Sequence, residues 1–120
     1  NDGSDLVGEK LSEESCSKLI QVFGGFCLVG VMQPKIEKLP YYAFICEEDI
    51  EMSATAVDLE LRKNYHYNLA RDLGQLGAIK VIKSTNPVTL YQELCKQRGM
   101  IIGNIKLEVV ININTDELLL

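Results

Sequence analysis

The spacing of apolar residues changes several times along the chain, and each change predicts a switch between helix and strand. Between Ser12 and Gly24 the apolar residues recur three and four positions apart, which is the pattern of one helix face. They are Cys16, Leu19, Ile20 and Phe23. Ser12 can accept an N-terminal backbone hydrogen bond, and Gly24 and Gly25 follow the last turn, where glycine commonly ends a helix. We therefore expect an amphipathic helix first.

Two strands and a long helix are predicted next. The segments 26–32 and 40–46 are short, rich in residues that favour strands, and separated by the polar turn 33–39. From Thr55 onward, apolar residues recur every four positions, which favours the longest helix of the chain. These residues are Val57, Leu61, Tyr65, Leu69 and Leu73. Gly74 and Gly77 supply its stop signals.

The remaining segments predict an α+β fold. Residues 78–83 read as a strand, the pair Asn86-Pro87 begins a third helix that Gly99 ends, and residues 109–114 form a last strand with one core face. The order is α-β-β-α-β-α-β, with three helices packed on one face of a small mixed or antiparallel sheet. We expect a core that contains Leu19, Phe23, Leu28, Val31, Phe44, Leu61, Leu69, Val81, Leu94 and Ile111.

Length and composition predict one soluble domain. A chain of 120 residues corresponds to about one domain, and 47% hydrophobic with 24% charged residues is ordinary for a globular protein. The longest apolar stretch, residues 26–32, is far shorter than the roughly 20 residues that span a bilayer. No secretory signal is visible at the N-terminus. Because the chain begins with Asn1 rather than Met, we expect it to be a piece of a longer protein.

The charge distribution argues against nucleic-acid binding. The net charge is −5, with 4 basic and 12 acidic residues in positions 1–60 and 8 basic and 5 acidic in positions 61–120. Proteins that bind nucleic acid regardless of sequence neutralise phosphates with clustered Lys and Arg. The chain has no dense basic run, so we expect no nucleic-acid partner.

The cysteines and the single histidine are expected to be structural. Cys16, Cys27, Cys46 and Cys95 are separated by 10, 18 and 48 residues, which fits neither a C-x-x-C motif nor a zinc site. Buried free thiols in a reducing cytosol are the simpler interpretation. His66 lies between two tyrosines with no recognisable catalytic partner, which favours a structural role.

No self-contained active site is evident in the remaining motifs. The acidic run 47–51 has the ligand types of a cation site but lacks the spacing and glycine of a calcium-binding loop, so we expect a solvated connection. The glycine pairs at 24–25 and 74–77 follow helices, whereas a phosphate-binding loop precedes one. Lys106 stands in the glycine-bearing turn 103–106. It is either a solvated lysine or a cation that reaches a phosphate or carboxylate on another body.

Three stretches resemble the auxin-responsive Gretchen Hagen family of acyl-acid amido synthetases, and they cover nearly the whole chain. Residues 5–14, which include Gly8-Glu9-Lys10-Leu11, are similar to the segment through which that family enters its small C-terminal domain. Residues 67–76 match its Y-x-x-A-R-x-x-G-Q-L helix end. Residues 91–106 match its ending, in which a tyrosine and a glycine precede G-x-x-K. Here Leu107-Glu108-Val109 follows the lysine, where the family often has Val-Pro-Arg.

The resemblance implies the C-terminal domain of an adenylate-forming enzyme. Such enzymes use ATP and Mg²⁺ to convert an acyl acid to an acyl-adenylate and then pass the acyl group to an amino acid. The missing N-terminal adenylation domain would bind the nucleotide, residues 1–10 would be the hinge and entry segment, and residues 11–120 the mobile domain. Asn1 and Asp2 match the hinge, and Lys106 matches the lysine that acts in adenylation. The fragment would be inactive alone, bind no cofactor or metal itself, and be cytoplasmic, without membrane or nucleic-acid partners.

A function of another class remains open. The chain could be a free-standing α+β ligand-binding or protein-interaction module. A βαββαβ regulatory domain would place a glycine-containing ligand loop between its first strand and first helix. Here the first helix precedes the first strand, which favours the synthetase domain.

Overall fold

The computed structural model describes residues 3–99 and 107–120, and it confirms the α+β class. The elements are β1 (Gly3–Ser4), β2 (Leu11–Ser12), α1 (Glu13–Phe23), β3 (Cys27–Val31), β4 (Tyr41–Glu47), α2 (Ala54–Leu61), α3 (Tyr65–Asp72), β5 (Lys80–Ser84), α4 (Pro87–Gln97) and β6 (Val110–Ile113). A short 3₁₀ turn follows at Glu117–Leu119. Among these helices, none has both the length and the apolar composition that crossing a membrane requires.

The main sheet is mixed and has four strands in the order β5-β4-β3-β6. The central pair β3 and β4 is antiparallel, with Leu28 opposite Phe44, and each outer strand runs parallel to its neighbour. The N-terminal strands β1 and β2 form a separate antiparallel hairpin in which Gly3 faces Ser12. A Cβ at Gly3 would lie 1.9 Å from the Leu11 carbonyl oxygen, so this hairpin requires glycine there.

The helices cover both faces of the sheet, whereas the sequence predicted one. One core contains side chains of α1, α2 and α3 together with Leu28, Phe44 and Val110. The other contains side chains of α4 together with Val29 and Ile111. Because both faces are covered, β6 buries Val110 on one side and Ile111 on the other, and the alternation that predicted a single core face does not apply.

The long helix expected from Thr55 to Leu73 is two helices, α2 and α3. The chain leaves α2 at Arg62, and the Asn64 side chain accepts the backbone N–H of Tyr67 at 3.0 Å, which starts α3. An asparagine inside a helical pattern therefore acts as an N-cap. Similar caps begin the other helices, with Ser12, Ser53 and Asn86 each accepting a backbone N–H.

Most of the expected core residues are buried. Those that are buried are Leu19, Leu28, Val31, Phe44, Leu61, Leu94 and Ile111. Phe23 and Val81 are half-buried and pack against the core from its margin. Leu69 is 40% exposed. A new helix starts after Asn64, so Leu69 does not continue the buried face that Val57 and Leu61 form on α2.

Candidate functional site

The residues that the resemblance assigns to function lie outside the described part of the chain. These are the hinge residues Asn1 and Asp2 and the proposed catalytic Lys106. The described residues next to both segments are attached to β6. Ser4 donates a hydrogen bond to the Asn112 side chain at 2.7 Å, and residues 107–109 lead directly into Val110. The described neighbours of both segments therefore meet at the edge of the sheet formed by β6.

Tyr91 of α4 holds the backbone that leads from Lys106 to β6. The Glu108 backbone N–H donates to the Tyr91 hydroxyl at 2.9 Å. Tyr91 is fully buried, and its ring meets Phe26 edge to face, with centroids 5.9 Å apart. Burial is the largest of the effects that raise the pKa of Tyr91 to about 12, so this phenol is neutral at pH 7. Tyr91 thus provides a rigid anchor two residues after Lys106.

A buried polar cluster attaches the N-terminal segment to the sheet. The Glu9 carboxylate is fully buried and accepts the backbone N–H groups of Leu6 at 2.6 Å and Val7 at 2.7 Å. It also accepts the Tyr42 hydroxyl in a very short hydrogen bond, and that hydroxyl lies 2.7 Å from the Ser4 hydroxyl. Burial and this carboxylate raise the pKa of Tyr42. Glu9 belongs to the motif Gly8-Glu9-Lys10-Leu11. The sequence alone indicated the motif but not that Glu9 attaches the N-terminal segment to Tyr42 of the sheet.

A second cluster joins α2 to α3 through Asp58. Its carboxylate accepts the Tyr67 hydroxyl at 2.6 Å, the Arg62 Nε–H at 2.9 Å and the Arg71 Nε–H at 3.0 Å. Arg71 also donates to the Leu76 carbonyl at 3.3 Å. Tyr67, Arg71 and Leu76 are motif positions in the segment 67–76, so that motif has a structural explanation: its side chains tie α3 to Asp58 of α2 and to the backbone that follows α3.

The Asp58 cluster makes stability depend on pH. Burial alone would raise the pKa of Asp58, but the hydrogen bonds from Arg71, Tyr67 and Arg62 outweigh it and lower the pKa. A lowered folded-state pKa means that the stabilisation is present above the unfolded value of about 3.9 and is lost as pH falls through the folded value.

We expect Asp58→Asn to reduce the free energy of unfolding at pH 7 by about 2–3 kcal/mol, because it removes charge-assisted hydrogen bonds. Stability should also fall less steeply below about pH 4 than in the wild type. Urea unfolding at several pH values measures both effects. Glu60→Gln is the matched control, since Glu60 pairs with a Lys63 side chain that is 75% exposed and should matter by less than about 1 kcal/mol. Equal losses in the two variants would contradict this assignment.

The other candidate groups do not form a reactive constellation in the described residues. His66 is exposed and meets only the Tyr65 ring in the contacts described, edge to face at 5.3 Å between centroids. Glu47, Glu48 and Asp49 are exposed, and no group of three potential ligands able to hold a metal occurs in residues 3–99 and 107–120. The four cysteines are free and buried, as expected. Burial raises the pKa of both Cys16 and Cys27 to about 12, which makes them poor nucleophiles.

An open groove of about 640 Å³ lies between the segments 36–41 and 77–80. The charged side chains Glu37 and Lys80 in its wall pair with each other at 2.9 Å, and Lys80 also lies over the Tyr41 ring. Tyr41 in turn donates to Asp116 at 2.6 Å. Glu37 and Lys80 thus satisfy each other, whereas Lys38, which also lines the groove, has no ion pair among the described contacts. The rest of the lining is mostly apolar.

The geometry thus gives structural roles to Glu9, Tyr42, Asp58 and Arg71 and an anchoring role to Tyr91. The i,i+4 spacing of Asp58 and Arg62 is a local signal that could have indicated one of these contacts. The contacts of Glu9 with Tyr42 and of Asp58 with Arg71 could not have been found in this way, because strand register and helix packing bring those residues together. Comparison with known proteins adds no assignment: no protein-family model matches the chain, and neither a curated protein nor a solved structure matches it.

Proposed function

We propose that this chain is the mobile C-terminal domain of an ATP-dependent, acyl-adenylate-forming amido synthetase. The parent enzyme would join an acyl acid to an amino acid in the cytoplasm. The missing N-terminal adenylation domain would bind ATP and Mg²⁺, and the fragment would be inactive alone. The proposal rests on the three sequence stretches that resemble the Gretchen Hagen family in order and spacing.

One structural observation supports this proposal most directly. The described neighbours of the predicted hinge and of Lys106 both attach to β6, through Ser4–Asn112 and through the residues that follow Glu108. A domain that delivers a lysine to a second domain needs that lysine to adjoin a fixed part of its own fold. The edge strand β6 and the buried Tyr91 fix the backbone that follows Lys106, and the Ser4–Asn112 hydrogen bond brings the entry segment to the same strand.

In the proposed mechanism, the chain contributes a positioned cation. When bound in the large domain, Mg²⁺ and ATP supply the phosphoryl chemistry, and the ammonium group of Lys106 would stabilise charge that develops on the reacting phosphate and carboxylate. The residues described here offer no glycine loop at the start of a helix that could hold a nucleotide. In this mechanism they would hold the backbone that adjoins the proposed hinge and the backbone that follows Lys106.

A second candidate function is a protein-interaction module, and an exposed apolar stripe favours it. Tyr65, Leu69 and Leu73 recur every four residues along α3 and its last turn, and they are 71%, 40% and 62% exposed. Apolar stripes of this kind often mark contact surfaces. The stripe would also suit contact with a large domain of the same protein. The stripe therefore does not distinguish the synthetase domain from the interaction module, and an assay of adenylation activity is needed to do so.

Carboxylate-dependent exchange of pyrophosphate into ATP tests the proposal. We expect no exchange by the purified 120-residue chain and clear exchange by the longer parent in the presence of its acyl acid. Exchange by the 120-residue chain alone would contradict the role of a helper domain. A parent that lacks a Ser/Thr/Gly-rich phosphate loop and shows no exchange with any acyl acid would favour the interaction module instead.

A further inference from the structure

The segment of residues 3–10, which we call the entry strap, is attached to the sheet mainly through polar groups. Its first residues form the small hairpin with Leu11 and Ser12, and Ser4 contacts Asn112 on β6. The other described hydrogen bonds from the strap to the sheet involve the Tyr42 hydroxyl of β4, which lies 2.7 Å from the Ser4 hydroxyl and donates to the Glu9 carboxylate. Leu6 adds a half-buried apolar contact.

Glu9 shapes the strap as well as attaching it. Its two carboxylate oxygens accept the backbone N–H groups of Leu6 and Val7, so one side chain fixes the turn and the contact to Tyr42 together. The exposed tip has a separate cap, because the Gly8 N–H donates to the Asp5 carboxylate at 2.5 Å. Removing the Glu9 acceptor should therefore free the strap, whereas removing the Asp5 cap should affect only its tip.

The surface under the strap is adapted to it. Gly30 of β3 lies beneath, and a Cβ there would lie 2.5 Å from the Asn112 side-chain oxygen, 3.1 Å from the Tyr42 ring and 3.2 Å from the Leu6 side chain. A missing side chain on β3 thus leaves room for the Asn112 side chain, the Tyr42 ring and the Leu6 side chain of the strap together. The polar groups of this surface, the Tyr42 hydroxyl and the Asn112 amide, can bind water when the strap leaves, and so can the Ser4 hydroxyl of the strap itself.

We propose that the entry strap is a separately releasable latch, held closed by Glu9, which opens while the four-stranded sheet stays folded. A contact made of polar groups can exchange its partners for water at low cost, unlike a strap buried through a row of apolar side chains. If the chain has the function proposed above, opening would extend the proposed hinge from Asn1 and Asp2 to about residue 10. That consequence rests on the proposed function, whereas the latch does not.

Native-state amide hydrogen exchange on the 120-residue chain tests the latch. In the wild type, the Leu6 and Val7 amides should exchange by a local opening whose rate does not change with low denaturant, while amides of β3 and β4 exchange by an opening that does. In Glu9→Gln, an NH₂ group replaces one of the two carboxylate oxygens. One of the two backbone N–H groups, of Leu6 or Val7, then faces a donor and loses its acceptor. We expect Leu6 and Val7 to exchange at least tenfold faster, and by a larger factor than the β3 and β4 amides.

Asp5→Asn is the matched control within the strap and should accelerate Gly8 much more than Leu6 or Val7. If Glu9→Gln does not fold, two other measurements decide the question. They are the denaturant dependence of Leu6 and Val7 amide exchange in the wild type and the exchange of the same amides in the milder variant Tyr42→Phe. The proposal is overturned if Leu6 and Val7 follow the denaturant dependence of the β3 and β4 amides. It is also overturned if Glu9→Gln accelerates all of these amides equally or leaves Leu6 and Val7 unchanged. None of these results depends on whether the parent is a synthetase.

Discussion

Lys106→Ala in the full-length parent is expected to slow formation of the acyl-adenylate by about 100- to 1,000-fold, since loss of one preorganised transition-state donor typically has that effect. Amide formation from a supplied acyl-adenylate should slow much less, because the domain would then present another face to the active site. Single-turnover kinetics of the two half-reactions measures both rates. A selective loss of the first would identify Lys106 as a catalytic residue of adenylation.

Lys96→Ala provides the matched control, because Lys96 is exposed and pairs only with Glu93 of the same helix among its described contacts. It should leave both half-reactions unchanged. The competing interpretation is that Lys106 has no catalytic role, because Glu108 follows it and the Pro-Arg pair of the family is absent. That interpretation predicts equal adenylation rates in wild type and Lys106→Ala, and such a result would leave Lys106 as a solvated surface residue.

The structure gives Glu108 a role that bears on this choice. Its backbone N–H donates to the buried Tyr91 hydroxyl, so the position serves as an attachment point for the chain that leads from Lys106 to β6. Proline has no backbone N–H and could not make this hydrogen bond. A non-proline residue at position 108, where the family often has proline, thus allows the hydrogen bond to Tyr91 that holds the backbone before β6.

Local signals predicted much of the fold. Ser12 and Gly24 bound α1 because each satisfies backbone groups at a helix end, and Asn86 with Pro87 begins α4 for the same reason. The predicted segment 26–32 contains β3 and the segment 40–46 covers all but the last residue of β4, because short apolar runs rich in β-branched and aromatic residues suit a buried sheet. In each of these cases the decisive interactions lie within a few residues of the chain.

Other features depended on contacts that no local pattern encodes. The placement of α4 on the second face follows from the parallel pairing of β6 with β3, which the sequence does not specify. The Glu9 cluster joins residues 33 and 108 positions apart, from Glu9 to Tyr42 and from Ser4 to Asn112. The four-residue repeat from Val57 to Leu73 was misleading because Asn64 caps a new helix within it.

Phe44→Ala should reduce the free energy of unfolding by about 3–5 kcal/mol, which is typical for removing a fully buried phenylalanine. Phe44 is in the central strand β4, has no exposed surface, and meets the Phe23 ring edge to face at 6.2 Å between centroids. Its ring also fills the space that a side chain at Gly25 would need. The alanine variant would leave a cavity between α1 and the sheet, where rigid backbone on both sides prevents collapse.

Leu69→Ala distinguishes the sequence prediction from the structure. The four-residue repeat places Leu69 in the core and predicts a large loss of stability, whereas the structure leaves 40% of Leu69 exposed and predicts a small one. A fully buried leucine would cost about 2–5 kcal/mol on truncation, whereas this half-open position on α3 should cost no more than about 1 kcal/mol. Urea unfolding of Phe44→Ala and Leu69→Ala side by side measures the difference. Similar large losses in both would mean that α2 and α3 form the single continuous helix with Leu69 turned inward. A loss confined to Phe44→Ala would support the break at Asn64 and leave the stripe of Tyr65, Leu69 and Leu73 available for contact with another body.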